Sequence, residues 1–155
     1  MVKIQGVAQL DKILDKFLEE FECTAELGPD FCCYTASNRI VYSLVVPERN
    51  SQTFMTRVKR LYPDITADEF LWSFLHEVGH VETCDDLTED EWIYSTRIKD
   101  DTENITDEIY YELPDEFAAT DWAARYMRAH ADKVAAFWKE AQQVILDIYS
   151  LNGIK

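Results

Sequence analysis

The chain has 155 residues, 47% of them hydrophobic, which is enough for one core and too little for two, so a single domain over residues 1–155 is expected. A formal net charge of -15, with no basic stripe to interrupt it, repels phosphate backbones and anionic lipid and excludes direct nucleic-acid binding. No charged-then-apolar leader and no run of roughly 18 apolar residues occurs, so a cytoplasmic protein without membrane association is expected.

From Ile4 to Phe21, apolar residues recur at steps of three and four (Ile4, Val7, Leu10, Ile13, Leu14, Phe17, Leu18, Phe21), which predicts an amphipathic helix. Phe31 to Val46 carries aromatic and β-branched residues on both sides of Ser37, Asn38 and Arg39 and predicts a β-hairpin, stopped by Pro47. Asn50 or Ser51 is placed to cap a short helix through Val58 and Leu61, which Pro63 breaks. Thr66 and Glu69 have the spacing of a capping box, so the next helix is expected from about Ala67, with Phe70, Leu71, Phe74, Leu75 and Val78 as its apolar residues. A further helix is expected near Thr88, and DDTENITDE (residues 100–108) as a polar connection. Pro114 suits the first turn of a helix that buries Phe117, Trp122, Ala123 and Tyr126. A last helix is expected from about Asp132 to Ser150, with Phe137, Trp138, Val144, Ile145 and Ile148 as core. The cysteines Cys23, Cys32, Cys33 and Cys84 include no CxxC pair and read as reduced, mostly buried thiols.

The helix after Thr66 contains HEVGH: His76, Glu77, Gly79 and His80 read as HExxH. Chance rarely produces this pattern in a chain with three histidines, and the apolar stripe independently puts it on a helix. Residues i and i+4 share a helix face, so both imidazoles can point at one ion. Zinc takes such ligands tetrahedrally, and a catalytic site uses three protein ligands with water in the fourth place. Glu77 can then take the proton of that water as it attacks a polarised carbonyl. Gly79 leaves room for another stretch of backbone to come close.

A third ligand is needed, and YELPDEFAATDWA (residues 111–123) offers Glu112, Asp115, Glu116 and Asp121. Glu116 shares a helix face with Ala119 and Ala123, whose small side chains permit close packing on the HEVGH helix. HEVGH followed by EFAAT (Glu116 to Thr120) resembles the zincin metallopeptidases of the gluzincin type, and more narrowly the small ImmA/IrrE-like peptidases of phages and mobile elements, which pair HExxH with a downstream ExxAD. The resemblance covers roughly Tyr34 to Tyr126 and rests on those two motifs. It implies an α+β, zincin-like single domain, mainly helical, with a small sheet over the HExxH helix that offers an edge to substrate. It implies Zn2+ held by His76, His80 and Glu116, with Glu77 as general base and Glu112 as the runner-up ligand. It also implies hydrolysis of a peptide bond in a specific regulatory protein. Where the family has its aspartate this chain has Thr120, followed by Asp121, so the residue that orients a ligand histidine is open. The alternative is a catalytically inactive zincin-like module that binds a protein partner, which would need the ligands but not Glu77.

Tyr94, Tyr110 and Tyr111 are further candidates for oxyanion donors, and His130 for a proton shuttle, although packing or a surface role is the simpler reading of each. The acidic 100–108 segment lacks the glycine of a calcium-binding EF-hand loop.

Overall fold

The computed structural model describes residues 4–44 and 48–153, the first four residues of the second segment by backbone alone. The architecture is α+β and mainly helical: among the described residues, seven helices surround one three-stranded sheet.

Helix α1 (Val7–Leu18) is entered through Gly6, whose φ of 89° is natural only to glycine, and it ends in a 3-10 turn over Glu19–Phe21. Its expected stripe is the buried one: Leu10, Leu14, Phe17 and Leu18 lie in the core, and Phe17 stacks on Phe137 with ring centroids 4.0 Å apart. The hairpin forms as strands β2 (Cys32–Tyr34) and β3 (Arg39–Tyr42), and Asn38 takes the left-handed turn position that asparagine tolerates. The sequence reading missed strand β1 (Thr24–Leu27), which runs parallel to β3, so the sheet order is β1-β3-β2 and β2 is an edge. The expected hairpin end at Val45 and Val46, and the stop at Pro47, lie outside the described residues.

Helix α2 (Glu48–Leu61) is already helical at Glu48, so Asn50 and Ser51 lie inside it instead of capping it. The Thr66–Glu69 box does not form either. Helix α3 (Glu69–Thr83) starts two residues late, and its N-cap Asp68 makes no side-chain cap bond. Its carboxylate is taken by tertiary bonds, accepting from Trp138 Nε1 at 2.9 Å and Gln142 Nε2 at 3.3 Å. Helix α4 (Glu89–Asp100) starts where expected, in a reciprocal box: the Glu91 amide donates to Thr88 Oγ1 and the Thr88 amide to Glu91 Oε1. The polar connection is shorter than expected because Thr106 caps a six-residue helix, α5 (Asp107–Glu112).

Helix α6 (Pro114–Ala129) begins on its proline, and α7 (Ala131–Asn152) closes the chain with Val134, Phe137, Val144, Ile145 and Ile148 inward. Phe117 corrects an expectation: it is 45% exposed, with the Arg57 guanidinium 5.9 Å from its ring centroid. The buried face of α6 runs through Glu116, Ala119, Thr120, Ala123 and Met127 at steps of three and four, and Phe117 lies off it. All four cysteines are free, but only Cys23 is fully buried. No helix among the described residues is long and apolar enough to cross a membrane.

Helix α3 packs more extensively on α6 than any other pair of elements. Gly79 makes this possible. A Cβ there would lie 2.9 Å from Ala119 Cα and 3.0 Å from its carbonyl carbon, and closer still to the carbonyl oxygen. The two helices therefore meet backbone to backbone inside the two motifs themselves, Gly79 of HEVGH on Ala119 of EFAAT.

Candidate metal centre

That close approach carries Glu116, in the first turn of α6, beneath the two histidines of α3. Glu116 Oε1 lies 3.0 Å from His76 Nε2 and 3.2 Å from His80 Nε2, with Glu116 2% and His76 5% exposed. The three ligand atoms all fall within 4.8 Å of one another, and the group can hold a metal ion. Bonds of about 2.0–2.1 Å in a tetrahedron put ligand atoms roughly 3.3 Å apart, close to the two separations observed.

Thr120 decides which nitrogen of His76 is available. Its hydroxyl has one proton, which it donates to the Glu116 carbonyl at 3.1 Å, as a helical threonine bonds back one turn. The same oxygen lies 2.9 Å from His76 Nδ1, so it accepts there, and Nδ1 carries the ring proton. Nε2 is left with its lone pair aimed at Glu116 Oε1. Two basic atoms at 3.0 Å repel unless positive charge lies between them, which suits a cation. Thr120 is thus the side chain that contacts the second ring nitrogen of His76. Asp121 points elsewhere, pairing with Arg125 at 2.9 Å and accepting from the Tyr62 hydroxyl at 3.3 Å. Thr120→Val, which keeps the shape and removes the acceptor, is expected to weaken metal-ion binding about 10- to 100-fold, as loss of a ligand's hydrogen-bond partner does elsewhere. Competition with a chromophoric chelator measures this, and unchanged affinity would discard Thr120's role.

The remaining two acids divide cleanly. Glu112, the runner-up ligand, is excluded: its side chain is 65% exposed and bonds Arg57 at 2.7 Å. It stands four residues before Glu116, but extended Leu113 (ψ 146°) separates α5 from α6, so that spacing is not a helical turn. Asp115 is 4% exposed and faces Lys99, whose Nζ lies 2.6 Å from Asp115 Oδ2 and 2.7 Å from Glu116 Oε2.

Glu77 is not one of the convergent ligands; it is 9% exposed and lies on the wall of a cleft that also contains His76 and Glu116. Burial pushes its carboxyl above the usual carboxylate range, against the opposing pull of His76 and His80. Burial, and then the nearby Glu77 carboxylate, push up the thiol of Cys33 on edge strand β2. For Glu116, burial alone would raise the carboxyl, but the His76 and His80 rings at 3.0 and 3.2 Å outweigh it and hold the group well below that range. The cleft, about 330 Å³, has Phe31, Phe54, Tyr110 and Tyr111 as aromatic walls, and Phe54 meets the His76 ring edge-on at 5.4 Å. Burial pushes the Tyr111 phenol up to about 12 and Tyr110 higher, so both are protonated donors near neutral pH. Tyr94, 55% exposed, and His130, exposed and packed on Tyr126, do not line the cleft.

No family model matches the chain, and no curated protein or solved structure does.

Sequence reasoning passed over Lys99 and Cys33. Cys33 has no motif to mark it. Lys99 had a weak signal: apart from Arg97 it is the only lysine or arginine between Arg60 and Arg125, so acids buried within that span have few local countercharges.

Proposed function

We propose that the chain is a zinc-dependent peptidase of zincin type, built like the ImmA/IrrE-like enzymes and acting on a specific regulatory protein. One observation carries the reading: His76 and Glu116, the buried members of the His76, His80, Glu116 ligand group, line a cleft with Glu77, an acid that is not among the ligands. A scaffold that only held metal would have no use for that fourth group. Two imidazoles and one carboxylate are the donors zinc takes in catalytic sites.

Zinc supplies Lewis acidity, polarising a carbonyl and making a water acidic near neutral pH. The rest falls to the protein. Glu77 takes a proton as the water oxygen bonds to the scissile carbon, then returns it to the amide nitrogen as the C–N bond breaks. Tyr110 and Tyr111 are the cleft's phenol donors for the oxyanion. The free side of β2 offers main-chain pairing to an extended substrate. Asp30, Glu69 and Asp107 line the cleft with no lysine or arginine, a field that disfavours acidic substrate segments.

The test is elemental analysis of protein purified without a metal-binding tag, beside His76→Ala. About one zinc per chain, lost in the variant and accompanied by chelator-sensitive cleavage, is the expected result. No metal in either sample and no uptake on titration would end the proposal.

A further inference from the structure

Lys99 touches both acids at the head of α6, and its position divides the two oxygens of Glu116. Oε1 faces the histidine nitrogens at 3.0 and 3.2 Å, while Oε2 is held by the Lys99 ammonium at 2.7 Å. A carboxylate with both oxygens free can chelate an ion through both; one with Oε2 in a charge-assisted bond offers a single atom. We propose that Lys99 is the positioning residue that keeps Glu116 a one-oxygen ligand, so that a bound metal retains an open coordination position for water.

The ammonium is itself held in place. Asp115 Oδ2 anchors it at 2.6 Å, and the Tyr110 ring lies 5.0 Å from it. Asp115 does not reach the histidines and is 4% exposed, a burial that needs a countercharge. Its role is to fix Lys99, and through Lys99 the rotation of the Glu116 carboxylate. The stem of Lys99 rises from α4, so this helix, which supplies no ligand, sets the geometry of one.

The inference rests on the metal-centre reading, and Co2+ tests the two separately. Four-coordinate Co2+ has intense visible bands that weaken at higher coordination number, a signature that an ion pair serving only stability would not move. Wild type should bind Co2+ with intense bands. Lys99→Met, which keeps the stem and removes the charge, should show weakened bands and bind about 10- to 100-fold less tightly. Lys99→Arg should restore much of both. If Lys99→Met does not fold, Lys99→Gln, which donates without charge, should give intermediate bands and affinity. A folded Lys99→Met or Lys99→Gln with wild-type spectrum and affinity, beside a His76→Ala control that loses Co2+, would overturn the role of Lys99 and leave the metal centre standing. Failure of Lys99→Arg to recover either property would also overturn it. Wild type that takes up no Co2+ would sink both.

Discussion

Glu77→Gln is expected to retain zinc and to cut peptide hydrolysis by about 100- to 10,000-fold, the range that general base catalysis supplies. Glutamine matches the size of the glutamate, so the 9%-exposed site need not repack. What it loses is the ability to hold a proton between the attacking water and the leaving nitrogen. The three ligand atoms belong to other residues, so metal content should not change. Cleavage of a diverse peptide library, read by mass spectrometry on wild type and variant at equal zinc content, measures the effect. Equal rates would remove Glu77 from the mechanism.

Gly79→Ala should be damaging although it improves local helix propensity. In an exposed helix the change gains about 1 kcal/mol. Here the new methyl would lie 2.9 Å from Ala119 Cα and 3.0 Å from its carbonyl carbon, and backbone atoms cannot rotate aside. Overpacking of about 3 kcal/mol outweighs the gain, so a net loss of about 2 kcal/mol is expected as α3 and α6 separate. That loss lowers the melting temperature by about 4–8 °C for a chain of this size. Because the separation also draws Glu116 from His76 and His80, zinc affinity should fall with it. A higher melting temperature with unchanged affinity would show that the seam has slack.

The site was more legible in the sequence than the fold around it. HEVGH announces itself through spacing alone, because a helix turns i and i+4 to one side whatever surrounds it. Glu116 followed from a face shared with Ala119 and Ala123, and that face is the one packed on α3. Local signals failed where tertiary partners outbid them. Asp68 gives its carboxylate to Trp138 and Gln142 of α7, seventy residues or more away, and no box forms at Thr66. Strand β1 was missed because four residues, TAEL, carry little alternation, and their pairing with β3 is set across the intervening hairpin. Thr120 was visible only as a departure from a motif. Its meaning lies in a hydroxyl proton already spent on the Glu116 carbonyl, which no spacing rule encodes.

The ligands are split between two helices, His76 and His80 on one and Glu116 forty residues further on. The unfolded chain does not assemble such a set, so an ion that fits it favours the folded state by mass action. At a free concentration one hundred times its dissociation constant the gain is about 2.7 kcal/mol. The folded fraction of this protein would then report the metal supply of its surroundings, and starvation for that metal would remove the protein itself through unfolding and turnover.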